Sequence, residues 1–258
     1  MKKFLSALAL TMFSAIILGA TSGSASATPF PGPDAYGYSG TNIALNFRDI
    51  SATGTNAGFN CDDCIFDAVP LGFNFNYYGT SYNQVYISTN GFLAFTLQGN
   101  GCCAGQPLPT TGGINNEVAG WWTDLVSNPL YQTVGAPGSQ QFIAEFLNAP
   151  YFNSNTPNTF EIVLHEGSND IELQYLNTGA DGHVRSVGIE NLDGTVGLQV
   201  VNDNTTTLNA QGFCFSTGGT NCSASAITTV PEPITLTVFG AGLAGVAAVR
   251  RRKKAKEA

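Results

Sequence analysis

The chain has 258 residues, 43% of them hydrophobic and only 11% charged, with 30 glycines and a net charge of −8. So few charges beside so much Asn, Thr, Ser and Gly suit an extracellular β-protein better than a cytosolic enzyme. The basic residues crowd at the ends, which leaves Arg48 and Arg185 alone in an acidic body; without a cationic face, nucleic-acid binding is excluded.

In chain order, Lys2-Lys3 form a charged start, Phe4 to Ala20 an apolar run, and Ala25-Ser26-Ala27 a small-residue cleavage site. This pattern predicts a signal peptide over residues 1–27, cut after Ala27 by signal peptidase, and hence export. Residues 28–40, TPFPGPDAYGYSG, read as a Pro/Gly-rich leader.

From residue 41 to 216 the apolar residues alternate with a period of two. The alternation holds in Ile43, Leu45, Phe47; in Leu71, Phe73, Phe75, Tyr77; in Phe160, Ile162, Leu164; in Ile171, Leu173, Tyr175; and in Val196, Leu198, Val200. Such runs put one face on a core and one toward water. Asn90-Gly91 is a strong hairpin turn, and Asp181-Gly182 and Asp193-Gly194 are further candidates. About ten short strands without helical periodicity predict an all-β fold, a two-sheet antiparallel β-sandwich in one domain. A flexible stalk over residues 217–229 follows.

The six cysteines, Cys61, Cys64, Cys102, Cys103, Cys214 and Cys222, are an even number in an exported chain, so disulfides are expected. Cys214 is expected to pair with Cys222, and the first four among themselves. Trp121-Trp122 on one strand would face opposite sides, one filling the core and the other open to solvent. With Tyr77 and Tyr78 they are the candidate sugar-stacking residues, although a structural role for both tryptophans is the better reading.

No catalytic set is expected, and no enzyme activity. His165, Glu166, Asp170 and Glu172 could form an acid/base pair across a hairpin, but HEGSND reads better as a polar turn. His183 reads as a loop residue. No metal-binding His pair occurs and no cofactor is expected; oxygen ligands of the kind Ca²⁺ takes occur at Asp62, Asp63, Asp67, Asp124, Asn202, Asp203 and Asn204.

The C-terminus supplies the second address. Residues 234–249 form an apolar run that is about 24 Å long as a helix, short of roughly 30 Å of hydrocarbon. Prolines precede it, and Arg250, Arg251, Arg252, Lys253 and Lys254 follow, with basic character to residue 256; by the positive-inside rule that cluster stays cytoplasmic. A single transmembrane helix is predicted, with Gly240, Ala244 and Ala248 making one flat face.

Val230-Pro231-Glu232-Pro233, the Gly/Ala-rich span and the basic tail together resemble a PEP-CTERM sorting signal over residues 230–258. That resemblance implies processing near the Pro-Glu-Pro by a membrane-embedded exosortase in a bacterium that makes exopolysaccharide. The membrane would then be a transient anchor, and the protein would end at the cell surface or in the matrix. A second resemblance, over residues 66–201, is to nidogen-like (NIDO) extracellular modules. It rests on FDAVPLGFNFNYYG, on VYISTNGFLAF, on AGWWTDL, and on the later TFEIVLHEGSNDIELQYLN and VGIENLDGTVGLQ. It implies a non-catalytic matrix or adhesion role. The leading expectation is an exported structural or adhesion protein of the envelope or exopolysaccharide matrix. A carbohydrate-binding module for that polysaccharide is the alternative, and an extracellular hydrolase the third.

Overall fold

The computed structural model describes residues 32–58, 61–99 and 101–218. The predicted signal peptide, Cys222, most of the stalk, the Pro-Glu-Pro motif and the predicted membrane helix lie outside the described residues. Among the described residues no helix is long and apolar enough to cross a membrane.

Among the described residues, thirteen strands form two antiparallel sheets. In chain order they are β1 (Ser39–Ile43), β2 (Thr55–Asn56), β3 (Val69–Tyr77), β4 (Thr80–Ile87), β5 (Phe92–Ala94), β6 (Glu117–Trp122) and β7 (Leu130–Val134). They continue with β8 (Gln141–Pro150), β9 (Pro157–His165), β10 (Ile171–Asn177), β11 (Arg185–Glu190), β12 (Gly197–Asp203) and β13 (Gln211–Ser216). One sheet runs β1-β13-β10-β9-β8-β7-β2 and the other β12-β11-β6-β5-β4-β3. The expected all-β sandwich is therefore present.

β3 shows why the strands form where they do. Leu71, Phe73, Phe75 and Tyr77 are buried while Pro70, Gly72, Asn74 and Asn76 are exposed, a strict alternation against one core. Between the sheets lie Trp121, Phe146, Phe160, Ile162, Tyr175 and Phe213 among others, all fully buried. Phe146 stacks on Phe160 with centroids 4.5 Å apart. Burying aromatic side chains of this size supplies most of the driving force for packing the sheets.

The outer faces are covered too. Residues 44–54 join β1 to β2, which sit at opposite edges of the seven-stranded sheet, so this strap must cross the whole outer face. Its amides dock on a row of side chains. Asn46 N donates to Gln174 Oε1 (2.9 Å), Arg48 N to Glu161 Oε2 (3.0 Å) and Ile50 N to Glu145 Oε2 (2.9 Å). Gln174 pairs with Glu161, and Glu161 with Glu145, across β10, β9 and β8. Alternate strap residues thus step from strand to strand. Strands lie about 4.8 Å apart while two extended residues advance up to about 6.6 Å, so the strap crosses obliquely. Ile50 then packs on Ile143 and Val163.

Residues 95–116 cover the other sheet in the same way. Leu108 and Ile114 pack on Phe92, Ala119 and Trp122. Leu108 N donates to Gln199 Oε1 and Thr110 N to Glu190 Oε2, both at 2.8 Å.

Three sequence expectations change. Ile43, Leu45 and Phe47 do alternate in exposure, but only Ile43 is in a strand; Leu45 and Phe47 belong to the strap, whose amides meet side chains instead of a ladder. In β12 the buried residues are Leu198 and Val201, not Val200. The register shifts there, with Val201 opposite Val187 and Gln199 opposite Gly188, so Val200 is the extra residue of a bulge. Asp181-Gly182 does not turn a hairpin: β10 and β11 lie in different sheets, and Asp181 Oδ1 instead accepts from His183 N (3.2 Å) in the connection between them. Asn90-Gly91 and Asp193-Gly194 do lie between paired strands.

Candidate functional site

Four groups of side chains were candidates for chemistry. The first is the tryptophan pair. Strand alternation sends Trp121 between the sheets and Trp122 to the outer face, as expected, yet both are fully buried. The cause is the 95–116 segment, which covers Trp122 with Leu108 and Ile114. Trp121 Nε1 donates to the Tyr151 hydroxyl (3.1 Å), and the Arg185 guanidinium lies 5.4 Å from the Trp121 ring centre. Tyr77 is also fully buried, its single hydroxyl proton shared between the backbone oxygens of Glu117 and Glu190. The expectation that Trp121, Trp122 and Tyr77 offer rings to a sugar is corrected: none reaches solvent. Tyr78 remains half-exposed.

The second is the His165 hairpin. His165 Nε2 does meet Glu172 Oε1 at 3.1 Å, as a close contact without hydrogen-bond alignment. Glu166 turns away and accepts from Gly138 N and Gln140 N (2.7 and 2.9 Å). Gly167 and Asn169 take left-handed backbone angles, as the polar-turn reading requires. What periodicity did not reveal is that Arg48 completes this cluster from the strap, with Nη1 3.1 Å from Glu161 Oε1 and Nη2 2.9 Å from Glu172 Oε2. Burial pushes the Glu161 carboxyl up to about 7, opposed by its Arg48 contacts. These groups brace the strap against the sheet.

The third is acidic. Asp62, Asp63 and Asp124 bring carboxylate oxygens within 4.8 Å of one another. Burial, then the charges of Asp63 and Asp62, raise the Asp124 carboxyl above the usual range. Asp63 Oδ1 accepts from Asn90 Nδ2 (2.9 Å), which ties the cluster to the Asn90-Gly91 turn. Asp67 is not in this group. Asn202 and Asp203 lie at the end of β12: Asn202 donates across the ladder to Ser186 Oγ (2.9 Å), and Asp203 accepts from Thr205 and Thr206 in the turn that follows. Beside the cluster, Cys61 is bonded to Cys64 and Cys102 to Cys103. Cys214 is also disulfide-bonded, with Cys222 outside the described residues.

The fourth group was only half legible. β3 and β4 are joined by the two-residue turn Tyr78-Gly79, with φ of 46° and 83°. Across from it stands the β11–β12 hairpin, where Asn191 Oδ1 accepts from Thr195 N (2.9 Å) and Val196 N (3.1 Å). Between them lies a pocket of about 260 Å³ walled by Tyr78, Tyr82, Asn116, Asn191 and Asp193. The Tyr78 hydroxyl donates to Asp34 Oδ2 (2.8 Å) and its ring packs against Tyr36, Tyr38 and Tyr77. Asn116 Nδ2 donates to the Tyr82 hydroxyl (2.9 Å). Tyr82 and Asn116 were missed because residues from three separate segments converge here.

Comparison with known proteins now adds the family. A family model described as "NIDO related" matches residues 37–231, and one described as "PEP-CTERM protein-sorting motif" matches residues 229–253. No curated protein and no solved structure matches the chain. The first match extends on both sides of the 66–201 resemblance and takes in every strand. The second marks an exosortase-sorted protein exported to the cell envelope or surface. A chain matched over most of its length in this way belongs to the NIDO-related family and carries a PEP-CTERM sorting signal at its end.

Proposed function

We propose that this protein is a non-enzymatic structural or adhesion component of the bacterial envelope or exopolysaccharide matrix. Signal peptidase would act at one end and exosortase at the other. The observation that carries the reading is the junction of the two family matches. A NIDO-related sandwich runs directly into the sorting motif, so the folded module is the cargo that the motif delivers. The use of charge supports it. Arg48, Glu161 and Glu172 are spent on holding the strap to the sheet, and Arg185 donates to the Thr206 and His183 carbonyls (2.6 and 2.7 Å). A second reading, a module that binds the matrix polysaccharide, is favoured by the tyrosine pocket beside polar side chains.

The test is intact-mass measurement of the native protein from exosortase-positive and exosortase-deficient cells. Loss of the segment beyond the Pro-Glu-Pro only in the first supports the proposal. A full-length tail in both strains overturns it.

A further inference from the structure

We infer that the pocket between the Tyr78-Gly79 turn and the β11–β12 hairpin binds a neutral sugar ring of a polysaccharide, with Tyr78 and Tyr82 as its aromatic walls. This deepens the polysaccharide-binding reading and rests on it for the class of ligand.

The turn itself is the first reason. A two-residue hairpin loop with both φ values positive favours Asn, Asp or Gly at its first position. Here that position is Tyr78, at φ 46°. A bulky residue held left-handed is an outlier that its surroundings must enforce. Asn116, on the opposite wall, is left-handed as well, at φ 60°. Asn tolerates that conformation, so the strain is that of Tyr78 alone, and it points to a side chain kept for what it presents at the pocket.

The rings are also fixed in advance. Tyr78 is held by Asp34 and by three neighbouring tyrosines, and Tyr82 packs on Phe95 with centroids 4.9 Å apart. Little side-chain freedom is left to lose on binding. The polar rim matches a ring of hydroxyls. The Tyr82 hydroxyl accepts from Asn116 and keeps its own proton to donate, while the exposed Asp193 carboxylate, held by Thr195 through Oδ1, has lone pairs to accept with. Thr80 adds a hydroxyl at the mouth. A volume of about 260 Å³ is below that of drug-sized pockets, roughly 300–1,000 Å³, and suits one or two sugar rings.

Charge selects among sugars. Arg48 and Arg185 are the only Lys or Arg between Lys3 and Arg250, and both are interior, at 14% side-chain exposure and fully buried respectively. Among the described residues no Lys or Arg is therefore available to meet a carboxylate or sulfate at the pocket, where Asp193 would repel it. The ligand is a neutral glycan.

The test uses the full-length protein in a non-glycosidic detergent, titrated with neutral glucose, galactose and mannose oligosaccharides and, separately, with an oligouronate. Binding of a neutral oligosaccharide without binding of the uronate is expected. Tyr82→Ala should weaken it by about tenfold or more. Tyr78→Asn should do the same while preserving the folded circular-dichroism spectrum, because Asn-Gly suits this turn; Tyr78→Phe, which keeps the ring, should remain within about threefold. If Tyr78→Asn does not fold, Tyr82→Ala and Asp193→Ala decide. Failure of the wild type to bind any neutral glycan, preference for the uronate, or full binding by Tyr82→Ala would overturn the inference. The mass test of the tail is read independently, so failure here leaves the sorting proposal standing.

Discussion

Replacing Arg48 by Met should destabilise the fold in a way that depends on pH. Arg48 reaches Glu161 and Glu172 at 3.1 and 2.9 Å beneath the strap, and their side chains are 0% and 3% exposed. Removing one partner of a buried ion pair costs about 3–5 kcal/mol, since the remaining charge is left in a poor solvent. For a domain of this size each kcal/mol moves the melting point by roughly 2–4 °C, so a fall of about 6–20 °C at pH 8 is expected. The sign with pH follows from Glu161, raised in the fold from 4.5 to about 7. Stability from such a group is fully present below the unfolded value and is lost as pH rises through the folded one. Without Arg48 the folded value climbs further. The variant should therefore lose most at pH 8 and less than half as much at pH 5. Thermal unfolding followed by circular dichroism at both pH values measures this. Adding Glu161→Gln and Glu172→Gln to Arg48→Met should recover most of the loss. An equal loss at both pH values would show that the arginine stem, not its charge, matters. A loss under about 1 kcal/mol at pH 8 would make the cluster no stronger than a surface pair and refute the bracing role.

Other consequences are quicker to check. Glu117 is fully buried without a hydrogen-bond partner for its carboxyl, and burial, then Glu190, pushes it well above 4.5. Wild-type stability should accordingly decline as pH rises from 5 to 9 and Glu117→Gln should flatten that decline; parallel profiles would contradict it. Gly91 has φ +83° and an added Cβ would strike the Trp121 carbonyl, so Gly91→Ala should cost on the order of 1–3 kcal/mol by denaturant unfolding. Because Trp121 and Trp122 are both buried, native fluorescence should be blue-shifted and poorly quenched by iodide, and should redden only on unfolding. Ile50→Ala, at the strap's apolar contact with Ile143 and Val163, should cost about 2–5 kcal/mol and speed proteolysis within residues 44–54.

The sandwich was legible because its signals are local. The alternation of β3 and the Asn90-Gly91 turn each follow from a few adjacent residues. What periodicity cannot carry is a covering made by a distant segment. Glu161, Glu172 and Gln174 alternate with apolar neighbours and so look like a solvent face, but the strap buries them. Trp122 is structural, as the better sequence reading has it, but the segment that covers it on the other sheet could not be read from its own strand. The Val200 bulge shifts a register set by the partner strand, which β12 alone does not encode. Tyr78 was singled out for its ring, whereas the unusual backbone beneath it, and the wall supplied by Asn116 and Asp193, emerged only from the assembled fold.

The strand nearest the sorting motif has a mechanical consequence. β13 is inserted between β1 and β10 and runs antiparallel to both, so it is hydrogen-bonded along each side. Pulled lengthwise from its C-terminal end, β13 would load both ladders at once. Its two ladders must slip together, in shear, instead of peeling open one bond at a time as an edge strand would. A module anchored through this strand would resist such a pull better than one anchored through an edge strand.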